Sequence, residues 1–497
     1  MVQASNDSAQ ASFGVAKART DDPDLTGDND GTRATYSRDD LVAAVIDTGI
    51  DANHRDLDER KVLAFKDFVN GQSAPYDDDG HGTHVAGTLA GDGDGDPRYR
   101  GVAPDAGLVG VKVLNKNGSR RMSDITAGID WTVLNRALYG IEALNLSLGS
   151  TGCSDRTDAT STAVNRAHNA GLVAAVAAGN SGPGTCTIGT PGAAANALTV
   201  GAMADLEKAG FKQAYFSSRG KTADGRIKPD VSAPGVAVTS AAKGTATGYA
   251  VHSGTSMASP FVAGVALLRR DADPALTSAS LKAKVSGVAG VSGTAVDWGR
   301  GGDNRSAGSS GADIDYGGGR LDAYAALKSA GAAALTSGPP LPRHELYEGS
   351  LAATGAQADH ALTVTDTSSP IAATLIHPSI SGGSSSTPDF DLFLYDPAGN
   401  QVSSATTRRR QDELGFRPTV IGTYKLRVRS YAGSGAYFVD ASAPASAQDT
   451  TPPAAPSAYR DAILRTSGLS SYWRLGETTG TTARTRREQT TAPTVAG

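Results

Sequence analysis

Residues 41–49 read Leu-Val-Ala-Ala-Val-Ile-Asp-Thr-Gly, an apolar run that ends abruptly in an aspartate and a glycine. An unbroken run of this length suits a strand buried on both faces, the situation of a parallel sheet covered by helices above and below. Four more runs share the pattern, at 108–114, 143–148, 172–178 and 197–201. Between them, Ile125, Ile129 and Val133 recur four apart within 123–138, a helical stripe, and 158–169 is a second helical segment. Strands alternating with helices predict an α/β domain, 1–335, built on a parallel sheet. Ligands of such sheets gather at the carboxyl ends of the strands, and Asp47 falls at one such end.

The pattern changes after a proline-rich break at 336–344. Short alternating strands at 361–364, 390–395 and 423–428, separated by turn residues such as Asp-Pro-Ala-Gly-Asn (396–400), predict a smaller β-sandwich over 345–443. Phe390, Phe393 and Tyr395 are assigned to its core. A second Pro/Ala-rich linker runs through 444–457 and leaves a tail, 458–497. Every residue considered below for chemistry precedes the break, so the sandwich is expected to add stability or to tether large substrates.

Three motifs carry the chemistry: Val-Ile-Asp-Thr-Gly (45–49), Gly-His-Gly-Thr-His-Val-Ala-Gly (80–87) and Gly-Thr-Ser-Met-Ala-Ser-Pro (254–260). A serine hydroxyl is inert near neutral pH until a base takes its proton, and the imidazolium so formed needs a buried carboxylate to orient it. Pro260 is tolerated in the first turn of a helix, which puts Ser256 at a helix amino end, where the dipole favours developing negative charge. Each motif alone reads as a turn or a strand end. Together, in the order Asp, His, Ser, they strongly resemble the subtilases. Val-Ala-Ala-Gly-Asn (176–180) is a fourth match.

The resemblance implies a subtilisin-like serine endopeptidase. Ser256 would be the nucleophile, His81 the base, Asp47 its orienting carboxylate and Asn180 the oxyanion-hole donor, while His84 would be a helix residue one turn on. Ser147, Leu148 and Gly149 match the edge that pairs with an extended substrate. Ala178, Gly179 and Gly189 match the walls and floor of the primary specificity pocket, and their small size implies a bulky apolar side chain before the scissile bond. Arg120 departs from the family at a position where glycine is common; it either favours acidic substrate residues or points to solvent. An α/β-hydrolase would need Gly-x-Ser-x-Gly and a serine before the histidine, and neither is present. The remaining rival is a binding protein whose protease fold has lost activity.

Further similarities extend the reading. Asp389 to Asn400, followed by Gly-Thr-Tyr-Lys-Leu-Arg-Val (422–428), resembles the pre-peptidase C-terminal domain, and Tyr-Trp-Arg-Leu-Gly-Glu (472–477) resembles the opening of a laminin-G-like domain. The tail is too short to close such a domain and is expected to be a disordered fragment. Catalysis implies no cofactor. Calcium is a candidate structural ion, because hard oxygen ligands on Gly-rich loops suit it. The candidates are Asp92, Asp94 and Asp96 in Gly-Asp-Gly-Asp-Gly-Asp, with Asp56, a family-like ligand; a second acidic run covers 24–31. Cys153 and Cys186 follow the Ser-Leu-Gly and Ala-Gly-Asn segments and are expected to pair as a disulfide.

Composition adds mainly exclusions. A net charge of −5 over 497 residues gives no case for a nucleic-acid partner. No apolar run of about 18 residues spans a membrane. The expected partners are protein or peptide substrates, and the expected state is a monomer. The stretch 1–30 is polar and acidic and reads as neither signal peptide nor propeptide; the expected destination is outside the cell, with a cytoplasmic enzyme as the rival.

Overall fold

The computed structural model describes residues 6–32, 35–285, 295–296, 312–332, 334–339, 341–377 and 388–444. The run that ends in Asp47 forms β1 (Val42–Asp47), with every residue buried. It is followed by β2 (Val62–Asp67), β3 (Gly107–Lys112), β4 (Ile141–Leu146), β5 (Val173–Ala177), β6 (Leu198–Met203) and β7 (Val231–Pro234). β8 (Val238–Ala241) and β9 (Tyr249–His252) pair as an antiparallel hairpin. β10 (Ala295–Val296) and β11 (Arg320–Leu321) complete the main sheet, whose order is β10-β11-β7-β6-β5-β4-β1-β3-β2. Only the β10–β11 pairing is antiparallel, so eight strands run parallel, as the sequence predicts.

The helices are α1 (Asn6–Phe13), α2 (Val15–Asp21), α3 (His81–Ala90), α4 (Met122–Tyr139), α5 (Ala159–Asn169), α6 (Thr255–Ala272), α7 (Ser278–Val285) and α8 (Ala323–Lys328). In β1, Ala43 and Val45 join a core with Val85 and Ala86 of α3 and Phe261 and Val262 of α6. Val42, Ala44 and Ile46 join a second core with Ile125 and Ile129 of α4 and Val164 of α5. Neither face of the strand meets water, which is why its sequence shows no polar alternation. β1 lies between β3 and β4. The strand order diverges there, and in an open parallel sheet such a switch point, at the carboxyl ends of the strands, is where ligands bind.

Two antiparallel sheets form the sandwich: β12 (Arg343–Leu351), β19 (Gly435–Ala443), β14 (Ile371–Ile376) and β17 (Gln411–Phe416) against β13 (Gln357–Val364), β18 (Gly422–Ala432), β15 (Asp389–Tyr395) and β16 (Gln401–Ala405). Phe390, Leu392 and Leu394 point into its core. Phe393 and Tyr395 do not. They alternate to the outer face, half-buried, and the Tyr395 ring lies beneath Lys425 and Arg427. The period of two, applied from Phe390, excludes both from the core.

The proline-rich break does not hold the sandwich at a distance. Ile376 of β14 belongs to the same buried cluster as the α6 core. A methyl group on Gly210 would lie 2.7 Å from Ala372 Cβ, and one on Gly415 would lie 2.4 Å from the Ala209 carbonyl. Arg410, fully buried, forms a two-pronged ion pair with buried Asp315 at 2.5 and 3.2 Å. Burial works against the Asp315 charge, but Arg410 and Arg219 hold its carboxyl below the usual range. The described residues up to Pro444 thus form one compact unit. The rest of the expected linker and the laminin-G-like tail lie outside the described residues. Among the described residues, no helix is long and apolar enough to cross a membrane.

Gly264 in α6 gives a test of this packing. Helix propensity alone makes Gly264→Ala stabilising by about 1 kcal/mol. A methyl there would instead lie 2.6 Å from Val102 Cβ, in a core with no slack. The substitution should therefore destabilise by about 1–3 kcal/mol, read as a lower denaturant midpoint.

Candidate active site

Asp47 ends β1 with its side chain fully buried, and its Oδ1 accepts from His81 Nδ1 at 2.7 Å and from the Thr48 amide at 2.8 Å. His81 is the first residue of α3. Two features bring that helix against β1. The Gly82 amide donates to Thr48 Oγ1 at 2.8 Å, and any Cβ on Gly82 would sit 2.2 Å from the Gly49 carbonyl. Asp77 ties down the helix entry by accepting from the amides of Gly80 and Thr83 at 2.9 Å each. Burial pushes the His81 pKa down, but the charge and hydrogen bond of Asp47, with Asp79 and Asp77, outweigh it and raise the pKa above 6.5. His84 is different: buried, with Nε2 on the carbonyls of Val238 and Ala250, it is pushed down to about 3, mainly by desolvation.

Ser256 lies in the first turn of α6, half-buried. Its Oγ donates to the Ser147 carbonyl at 3.1 Å, and among the described residues no hydrogen bond joins it to His81. Resting enzymes commonly show such loose geometry, and a rotation about χ1 redirects the hydroxyl. Behind it a buried chain of bonds links α6 to β4: Ser259 Oγ donates to Asn145 Oδ1, Asn145 Nδ2 to Ser147 Oγ, and Ser147 Oγ to the Ser256 carbonyl, at 2.7, 2.9 and 2.7 Å.

Asn180 follows β5 and is exposed. Its Oδ1 accepts from the Thr255 amide at 2.9 Å and from Thr255 Oγ1 at 3.0 Å. A backbone N–H can only donate, so this contact fixes the amide's orientation and leaves Nδ2 as the outward donor. A methyl on Gly254 would lie 3.3 Å from that Nδ2 and 3.6 Å from the Ser256 amide nitrogen. The missing side chain of Gly254 therefore keeps open a small space beside two donors. The sequence reading did not single out Gly254; its place directly before the Thr-Ser pair was the available signal.

Ser147, Leu148 and Gly149 leave β4 beside Thr190, whose carbonyl accepts from the Ser150 amide at 2.8 Å. Ala178 is buried in a small cluster with Ile188 and Ala193, and Gly179 takes a φ of +105°. Gly189 is constrained by backbone: a Cβ would meet the Ser150 carbonyl at 2.0 Å, so its small size serves the join between two loops. Cys153 and Cys186 form a disulfide across those same loops. Arg120 Nε binds Asp124 at 2.7 Å, one turn along α4, so its charge is satisfied within the chain. Lys112, fully buried at the end of β3, donates to Asp78 at 2.6 Å and to the carbonyls of Leu114 and Thr48. A lysine inside the apolar run 108–114 was the sequence signal for this brace.

The acidic candidates do not converge on a metal. Asp56 Oδ1 accepts from the Gly95 amide and Tyr249 OH; Asp92 takes the Asp94 amide and Tyr36 OH; Asp96 caps the turn Pro97–Tyr99. Asp56, Asp92 and Asp96 turn oxygens to N–H and O–H donors, and among the described residues the four candidates do not gather around one point. Among the described residues, the carboxylates that do gather, within 4.8 Å of one another, are Asp28, Asp30 and Asp40, two of them in the second acidic run.

Residues 38–318 match the Subtilase family. Serine protease AprX of Bacillus subtilis (strain 168) is 42% identical over 264 residues, which is 49% of this chain and 59% of that protein. Subtilisin DY of Bacillus licheniformis is 40% identical over 268 residues, covering 54% of this chain and 89% of that protein. A crystal structure of a cold adapted subtilisin-like serine proteinase aligns at 32% identity and a TM-score of 0.42, over 53% of this chain and 90% of that one.

The electrostatics around His81 are directly measurable. Its ring should titrate above 6.5 by NMR, and Asp47→Asn, which removes the largest raising influence, should lower the midpoint. A midpoint at or below 6.5 in the unsubstituted chain would show that desolvation dominates.

Proposed function

Because the chain belongs to the subtilase family of serine proteases, we propose that it is a serine endopeptidase acting through an acyl-enzyme. Ser256 Oγ attacks the scissile carbonyl while His81 Nε2 takes its proton. Asp47 holds the imidazole by Nδ1 and stabilises the imidazolium. His81 returns that proton to the leaving amine. Water then attacks the ester with His81 again as base, releasing the acid and restoring Ser256. Only the neutral imidazole can accept the proton, so activity should rise with pH through the raised His81 pKa.

The observation that carries this reading is the pair of donors at Gly254: Asn180 Nδ2 and the Ser256 N–H flank one small space, next to the nucleophile. Such donors stabilise the tetrahedral oxyanion more than the ground-state carbonyl. Ser147–Gly149 would pair with an extended substrate as an added strand. Ala178, Gly179 and Gly189 would line the primary pocket, and the bulky apolar preference belongs to this reading. Substrates are proteins or peptides, and the working state is an extracellular monomer. The division into a peptidase domain, 1–335, and a pre-peptidase C-terminal-like sandwich, 345–443, belongs to it too.

Ser256→Ala should abolish hydrolysis of a denatured protein, with cleaved bonds mapped by mass spectrometry, while leaving the fold intact. Asn180→Ala should lower kcat roughly a hundredfold at similar KM, a magnitude carried over from subtilisin. Gly254→Ala should lower kcat in the same way by filling the space beside both donors. An effect confined to KM would make Asn180 and Gly254 substrate-binding positions. No labelling of Ser256 by a fluorophosphonate would instead favour the inactive binding protein.

Calcium enters this reading as a structural ion only, and the carboxylates that converge are Asp28, Asp30 and Asp40. A strong chelator should lower the unfolding temperature and added calcium should restore it. An unchanged temperature removes calcium from the reading.

A further inference from the structure

The loop after β5 carries Asn180 at one end and Gly189 at the other, and a single strip of chain, 216–220, backs it along its length. The Ser218 amide donates to the Gly179 carbonyl at 2.9 Å and the Gly182 amide to the Phe216 carbonyl at 2.8 Å. The Thr187 amide donates to the Arg219 carbonyl and the Cys186 amide to the Gly220 carbonyl, each at 3.0 Å. Ser218 Oγ accepts from the Ser181 amide at 3.1 Å, and Thr187 Oγ1 from the Arg219 amide at 2.8 Å. Where this strip sits decides where Asn180 and the pocket loop sit.

The strip is anchored through one side chain. Arg219 is fully buried and donates to the carbonyls of Asp315 and Ala214 at 3.0 and 3.1 Å and to Gln411 Oε1. Gln411 begins β17 of the sandwich, and its Nε2 returns a bond to the Gln213 carbonyl at 2.7 Å. Its neighbour Arg410 clamps Asp315 and also reaches the Pro183 carbonyl, at 3.3 Å, inside the loop itself. A dipeptide from the sandwich thus fills the space behind the oxyanion and specificity loop. Burying one guanidinium beside another is costly unless both are paired, and Asp315 pairs with each.

We infer that Arg410 and Gln411 are positioning residues for the active site: the sandwich sets the loop that carries Asn180 and Gly189, instead of serving only as a prop or tether. The inference rests on the serine-endopeptidase reading. Oxyanion donors act only within a narrow distance of the reacting oxygen, and a shift of about 1 Å transmitted from afar can cost on the order of a hundredfold in rate.

The test uses the full chain and two substitutions outside the catalytic machinery. Gln411→Leu keeps the volume, adds no charge and removes the bonds to Arg219 and Gln213. Arg410→Met removes the clamp and the bond to Pro183. On short peptides that differ only in the residue before the scissile bond, Gln411→Leu should lower kcat at least tenfold with KM nearly unchanged. It should also change the ratio of kcat/KM between small and bulky side chains and speed amide exchange of Gly182, Cys186 and Thr187. The acid limb of the pH profile should not move, because Asp47 and His81 are untouched. Arg410→Met should do the same more strongly; if it fails to fold, Gln411→Leu decides alone. Values of kcat and selectivity within twofold of the parent, with only a lower unfolding temperature, would overturn the inference and leave the sandwich a prop. Absence of Ser256-dependent hydrolysis in the parent chain would instead overturn the endopeptidase reading.

Discussion

One buried charge organises the site. The Asp47 carboxylate ends a strand that has no water on either face, and its partners are the His81 imidazole and the Thr48 amide. An ionised carboxylate there is tolerable only with donors held close, so the surrounding chain is shaped to hold them. Gly82 has no side chain because the Gly49 carbonyl occupies its place. Asp77 secures the entry to α3, and Lys112 braces the turn after β1 from the adjacent strand through the Thr48 carbonyl. Each is a condition for the 2.7 Å bond that raises the His81 pKa.

Ser256 depends on a second set of constraints, made of neutral groups. Ser147, Asn145 and Ser259 link the end of β4 to the first turns of α6. Thr255 binds Asn180 and so links α6 to the end of β5. The carboxyl ends of β4 and β5 are thereby tied to α6 beside β1, at the point where the strand order diverges. Helix α6 can approach α3 and the loop that follows it closely because Gly264 meets Leu89 and Val102 without a side chain between them. Polar bonds set direction and small residues set distance.

The sandwich belongs to the same structural problem. Ala209, Gly210 and Gly415 let it approach the α/β layers to backbone contact. Arg410, Asp315 and Arg219 then place charge in the seam, where loss of Asp315 would leave two guanidiniums without their shared carboxylate in low dielectric. Buried ion pairs and backbone contacts line the seam, and the two layers belong to one compact unit.

The sequence by itself determined the parallel sheet and the sandwich, and its motifs singled out Asp47, His81, Asn180 and Ser256 as the candidate site. These depend on local signals: a strand buried on both faces shows as an apolar run, and motif residues keep short, fixed neighbours. Tertiary structure alone decided the rest. Phe393 and Tyr395 turned out to face outward because alternation is counted along a strand whose inner face only the fold defines. Asp56, Asp92 and Asp96 spend their oxygens on N–H and O–H donors, two of them tyrosine hydroxyls distant in sequence. Gly189 answers to the Ser150 carbonyl, Arg120 to Asp124, and Arg410 to Asp315 across 95 residues. An acidic or basic residue reads the same in sequence whether it meets solvent, a metal or a partner brought in by the fold. Desolvation and distance choose among those outcomes, and both exist only once the chain has packed.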